Sequence, residues 1–262
     1  MNQPIYIVDA FTSKLFTGNP AAVCPLDNWI NDGLMQNIAF ENNLSETAFF
    51  VKEEDHYHIR WFTPSVEVPL CGHATLASSF VIFNFLDKDI KQIKFHSLSG
   101  ELIVTKSEEL ISLNFPANKP ERVEIKSEVI NALKAEPKEL YFNKSYLAFF
   151  ETEEEIRGIN PDFREFSNVH SDGIIITAPG NKSDFVSRYF VPNAGIDEDP
   201  VTGFAHTLLT PFWSERLSKN NLHAFQVSKR GGELFVENMP GERVKISGKA
   251  VLYSKGSIFL DL

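Results

Sequence analysis

EVPLCGHATLA, Glu67 to Ala77, is answered further along the chain by GIDEDPVTGFAHTLL, Gly195 to Leu209. Each stretch follows a strand-like run ending in Phe-x-Pro, Phe62-Thr63-Pro64 in the first case and Phe190-Val191-Pro192 in the second. In each, a Gly (Gly72, Gly203) stands where an irregular loop turns into an apolar run of helical length. One chain therefore carries the same unit twice. A Gly at such a turn leaves the first backbone N–H groups of the helix uncovered, and two such ends are suited to holding an acid's carboxylate.

Outward from these stretches the order of elements repeats. Residues 4–10 and 21–26 read as strands around the turn formers Thr17-Gly18-Asn19-Pro20, followed by a helix over 32–40 and strands over 47–51 and 57–62. After Gly72-His73 comes ATLASSFVIFNFL, apolar nearly all round, which describes a helix buried on every side and wrapped by its neighbouring strands. Strands over 92–95, 101–105 and 110–115 complete this half, and the polar segment 117–126, with its Lys and Pro residues, marks a boundary. The second half offers a helix near 127–134, a strand over 146–150, an acidic helix start at 151–155, strands over 173–178 and 185–191, the loop 195–203 and the apolar helix from Ala205. Ser45-Glu46-Thr47 is mirrored by Ser171-Asp172-Gly173. The expectation is an α+β protein of two similar domains, residues 1–116 joined by a C-terminal strand at about 250–262, and residues 117–249.

A chain of 262 residues, 43% hydrophobic, is long enough for two cores. Its formal charge of -10 argues against nucleic acid, which needs a Lys/Arg surplus, and favours a small-molecule or protein partner. No apolar run near membrane-spanning length and no secretory signal is found, so no membrane partner is expected and the chain reads as cytoplasmic. Cys24 and Cys71, too few for a disulfide framework, are expected as free thiols.

Glu46 precedes an apolar strand, where burial would raise a carboxyl pKa toward the range useful for proton transfer; a helix-capping Ser45 with a solvated Glu beside it is the plainer alternative. Cys71-Gly72-His73 has the form of a reactive thiol at a helix start, set against a packed core cysteine, and His73 could move a proton or satisfy the helix end. Consecutive carboxylates such as Asp197-Glu198-Asp199 seldom converge on one ion, but Asp199 falls beside the second helix start. His206, one turn into that helix, reads as packing, and His56 with His58 lacks a third metal ligand. No phosphate-cradling loop, nucleophile elbow or dinucleotide fingerprint occurs.

YIVDAFTSKLFTGNPAAV, NLSETAFF, RWFTPSVEVPLCGHATLA, GIDEDPVTGFAH and VKISGKAV, in that order, span nearly the whole chain. This set resembles the phenazine-biosynthesis (PhzF-like) isomerases, which are distantly similar to diaminopimelate epimerase. The resemblance implies two pseudo-twofold-related domains, each a sheet or barrel around a central helix with the active site between them, working as a homodimer with no metal and no organic cofactor. It implies Glu46 as a general acid/base moving a proton between carbons of a small cyclic carboxylic acid, His73 and Asp199 assisting, and Ser45, Gly72 and Gly203 lining the substrate site. In the epimerase relatives a Cys from each half moves the proton; here Cys71 occupies one such place but Thr202 the other, and a hydroxyl is too weak an acid to replace a thiol. The family usually has Ser after the second Gly, where this chain has Phe204 in the substrate-binding position. Phe204 motivates the competing reading, a binding or regulatory protein that keeps the fold without the catalysis.

Overall fold

The computed structural model describes residues 2–260. The chain divides into two compact units, Met1–Asn114 with Ser247–Leu262, and Phe115–Ile246. None of the described helices is long and apolar enough to cross a membrane.

In the first unit β1 (Asn2–Ala10) and β2 (Asn19–Leu26) form an antiparallel pair whose turn uses Gly18 at φ 71°, a left-handed conformation open to glycine. Helix α1 (Asp32–Asn42) starts where the Asn31 side chain accepts from Gly33 N and stops on left-handed Asn43. β3 (Glu46–Lys52) then lies parallel to β2, β4 (Tyr57–Phe62) antiparallel to β3, and the short β5 (Glu67–Val68) folds back on β4. Helix α2 (Gly72–Val81) is followed by β6 (Gln92–Ser97), β7 (Gly100–Ser107) and β8 (Leu110–Pro116), with β6 parallel to β4. The C-terminal strand, Ala250–Phe259, pairs antiparallel with β1.

The second unit repeats this order. After β9 (Glu121–Val123) and α3 (Ser127–Leu133), β10 (Glu139–Asn143) pairs antiparallel with β11 (Ser145–Phe149). Helix α4 (Glu153–Gly158) opens on a complete capping box, Thr152 with Glu155. β12 (Ile174–Pro179) is parallel to β11, β13 (Phe185–Val191) antiparallel to β12, and β14 (Ile196–Asp199) folds back on β13. Helix α5 (Gly203–Leu217) leads to β15 (Asn221–Gln226), parallel to β13, then to β16 (Gly232–Met239) and β17 (Arg243–Gly248). Both the sequence of pairings and their parallel or antiparallel sense match the first unit.

Register refines the repeat. Thr47 pairs with Phe62 and Ile174 with Phe190, so Glu46 corresponds to Gly173 and not to Asp172, as the Ser-Glu-Thr mirror in the sequence suggests. A slip of one residue puts a strand's side chains on the opposite face, so the difference matters chemically. A Cβ at Gly173 would lie 2.5 Å from the Phe190 carbonyl and 2.9 Å from the Tyr189 ring, which leaves no room for any side chain.

The two central helices are buried along most of their length, α2 packing against β1, β2 and β3 and α5 against β15 and β16. Several of their buried hydroxyls bond within the helix: Ser78 and Ser79 donate to the carbonyls of Ala74 and Thr75, and Thr210 to that of His206. Pro211 inside α5 cannot donate to the Thr207 carbonyl, and the Asn118 backbone N–H does so instead at 3.0 Å. The helix read through ATLASSFVIFNFL is α-helical only to Val81; Ile82–Leu86 winds as a π turn closed by Asp87 N on Ile82 O. The loop expected over 195–203 contains β14, whose strand character lay hidden in an acidic run.

Candidate active site

Glu46 opens β3, opposite Ala21 of parallel β2, with its side chain 18% exposed. His73 is the second residue of α2 and is buried. Its Nε2 lies 3.2 Å from Glu46 Oε2, at hydrogen-bond length but off the line of a straight bond. On the other side of the ring, Nδ1 faces the Asn19 amide Nδ2 at 3.3 Å and the Cys71 Sγ at 3.5 Å. Burial is the main influence on this imidazole and pushes its pKa down to about 3, against a smaller opposing effect of the Pro20 carbonyl. At neutral pH His73 is therefore an uncharged ring, carrying one proton between a thiol on one side and a carboxylate on the other.

Glu46, Cys71 and His73 are also the only described residues whose donor atoms form a trio within 4.8 Å of one another, close enough to hold a soft divalent ion. The ring offers its contacts to the thiol and the carboxylate through different nitrogens, however, which suits proton relay better than chelation. Cys24 and Cys71 are both free. Cys24 is fully buried and burial raises its pKa far above the usual thiol range, so it is inert packing.

In the second unit, Asp199 ends β14 and its Oδ2 accepts from Thr202 Oγ1 at 2.5 Å. Gln226 holds both ends of this turn, its Nε2 donating to Asp199 O and its Oε1 accepting from Thr202 N. Ser228 Oγ adds a bond to Pro200 O. Neither N-cap residue, Cys71 of α2 or Thr202 of α5, supplies a side-chain cap, so the helix starts at Gly72 and Gly203 keep the uncovered character read from the sequence. His206 donates Nδ1–H to Thr202 O at 2.8 Å, its Nε2 has no partner, and burial pushes its pKa down to about 4; it is a core histidine.

The half-buried Phe204 occupies in α5 the place His73 occupies in α2, one residue after the glycine, and its ring lies 6.4 Å from that of Tyr189. Ser45 sits half-buried just before β3. His56 stacks on His96 with ring centroids 3.9 Å apart and is flanked by Glu53 and Asp55, a surface cluster and not part of the metal-capable trio.

Two ion pairs that position these groups escaped the sequence reading. Arg60 of β4 grips Glu67 of β5 through Nε and Nη2 at 2.7 and 2.8 Å, and lies over the Phe62 ring. Arg188 of β13 grips Glu198 of β14 in the same way at 2.7 and 3.0 Å, over the Phe190 ring, and its Nη1 donates to the carbonyls of Ile156 and Ile159. Each fork fixes the hairpin that delivers the chain to a helix start. The signal was present: Arg-aromatic-Phe-x-Pro occurs at Arg60 and at Arg188, and a Glu stands the same distance before Gly72 and Gly203.

This arrangement is shared with known proteins. The family described as phenazine biosynthesis-like protein matches residues 8–256. An isomerase of Pseudomonas aeruginosa, named as uncharacterized, is 49% identical over 262 residues, all of both chains. The crystal structure of a phenazine biosynthesis protein of the PhzF family from Enterococcus faecalis superposes with a TM-score of 0.97 at 48% identity, covering 99% of this chain and 100% of that one. A probable proline racemase from Agrobacterium radiobacter shares the fold alone, with a TM-score of 0.65 at 8% identity over 99% of this chain and 93% of the other. With the duplicated hairpin-and-helix units and the Glu46–His73 pair in hand, the match over nearly its whole length establishes that the chain belongs to the phenazine biosynthesis-like (PhzF) family of isomerases.

Proposed function

We propose that this isomerase works without metal or organic cofactor, moving a proton between carbons of a small cyclic carboxylic acid with Glu46 as the general acid/base. The single observation that carries the reading is the contact of Glu46 Oε2 with His73 Nε2 at 3.2 Å, where a carboxylate meets a buried, neutral imidazole. In the proposed step the Glu46 carboxylate takes a proton from a C–H made acidic by conjugation with the acid group. The C–H electron pair passes into the conjugated system, and the Glu46 carboxylic acid returns the proton at a second carbon. Uncapped helix starts are suited to the negative charge of the substrate and of the enolate-like intermediate. Asp199 and His73 are proposed to assist the proton transfer, and Ser45, Gly72, Gly203 and Phe204 to line the substrate site.

The second copy supports a one-base reaction. By register and by helix position, Gly173 stands where Glu46 does, Thr202 where Cys71 does and Phe204 where His73 does. Racemisation needs an acid/base on each face of the carbon, and these three replacements remove the counterparts of Glu46, Cys71 and His73, leaving Asp199 an assisting role; an isomerisation returning the proton to the same face needs only one acid/base. The test is solvent deuterium incorporation into a panel of small cyclic carboxylic acids. Wild type is expected to label its substrate and Glu46→Gln to lose labelling; equal labelling by both would remove Glu46 from the reaction.

A further inference from the structure

We propose that Asn19 is a positioning residue that fixes the tautomer of His73, so that the ring's single proton sits on Nε2, on the side of the ring that lies against Glu46; the inference rests on the reading of Glu46 as the acid/base. Asn19 is fully buried at the start of β2, and its amide nitrogen faces His73 Nδ1 at 3.3 Å. An amide NH2 can only donate, so Nδ1 must accept and be bare. The thiol of Cys71, a weak donor 3.5 Å from the same nitrogen, asks for the same state. A neutral imidazole with a bare Nδ1 carries its proton on Nε2, the atom 3.2 Å from Glu46 Oε2. A polarised N–H 3.2 Å from Glu46 Oε2, even off the line of a straight bond, favours the ionised carboxylate electrostatically, and that is the form that can accept a proton from carbon. The Pro20 carbonyl favours a proton on the ring, and since Nε2 has no hydrogen-bond partner that pull falls on Nδ1, where it competes with the two donors. Two donors against one acceptor favour the Nε2–H form.

Asn19→Asp reverses the argument with almost no change of shape. A carboxylate at position 19 accepts, so the ring proton moves to Nδ1, and the bare Nε2 then meets Glu46 lone pair to lone pair unless Glu46 keeps a proton of its own. The proton acceptor would be lost without any change in the residues around the substrate. The expected consequence is a roughly 10–100-fold fall in kcat with KM little changed, the scale of a lost outer-shell partner.

The experiment is long-range 1H–15N correlation at neutral pH on the full chain labelled at histidine, with the His73 signals assigned by their loss in His73→Gln. His206 is the internal control, because its Nδ1–H on Thr202 O fixes the other tautomer in every folded variant. The inference expects Nε2–H for wild-type His73, Nδ1–H in Asn19→Asp, and a shift toward Nδ1–H in Asn19→Leu, which removes the donor and adds no acceptor. Wild-type His73 protonated on Nδ1 would overturn it, as would an unchanged tautomer in Asn19→Asp with His206 intact. This readout needs no substrate. A failure to find any isomerised acid would count against the role of Glu46 and leave the tautomer result to stand on its own spectrum.

Discussion

At the scale of single residues, two buried histidines tie the site to pH. Burial holds His73 at about 3 and His206 at about 4, both below the ordinary 6.5. Between those values and 6.5 the unfolded chain binds protons that the folded chain refuses, so stability rises with pH there and is lost as pH falls from 6.5 toward 3. We expect urea midpoints to drop steadily below pH 6.5 and the drop to be shallower in His206→Gln; an equal slope in both proteins would contradict the burial argument. Cys71 contacts the far side of the His73 ring from Glu46, so Cys71→Ala is expected to retain isomerisation within about tenfold in deuterium labelling, against the roughly 10²–10⁴-fold loss expected on removing the acid/base. At Gly173, where a Cβ would strike backbone, Gly173→Ala is expected to destabilise by about 1–3 kcal/mol in denaturant titration.

Among the secondary-structure elements, the hairpins β4–β5 and β13–β14 do the aiming. Each is locked by an arginine fork on a glutamate and each leads straight into a helix whose N-cap residue offers no side-chain cap. Glu198→Gln breaks the charge pairing of a fork whose partners are mostly shielded from solvent, and a loss of about 2 kcal/mol in thermal or urea unfolding is expected. Arg188→Lys should cost a comparable amount, because an ammonium cannot reproduce the planar two-point contact or reach the Ile156 and Ile159 carbonyls together. These elements also mark how far the sequence could be read. Helices α1 and α3 and strands β3, β4 and β13 were legible from periodicity and turn chemistry to within a residue or two. Strands β5 and β14 were not, since two to four residues inside a Pro- and acid-rich segment carry no alternation to detect. The Arg–Glu forks were missed because the repeat was followed through its glycines and prolines and not through its charges.

Across the whole molecule, the two units share one order of strands but not one set of chemical groups. The duplication could be seen in the sequence because a glycine opens both helices. The one-residue error in matching Glu46 to Asp172 could not be corrected there, because which residues face each other is decided by strand pairing and not by local composition. Glu46 and His73 stood out in the sequence as candidates and the fold brings them together, while Asn19 and Gln226, which hold His73 and the Asp199–Thr202 turn, look like ordinary polar residues until the fold buries them. On the proposed function, the asymmetry between units means that one carboxylate both removes and returns the proton. The measurement that tests this most directly is the rate of solvent deuterium entry into a turned-over cyclic acid for wild type, Glu46→Gln and Cys71→Ala. The account predicts labelling by wild type and Cys71→Ala and its loss, by roughly 10²–10⁴-fold, in Glu46→Gln; undiminished labelling in Glu46→Gln would contradict it.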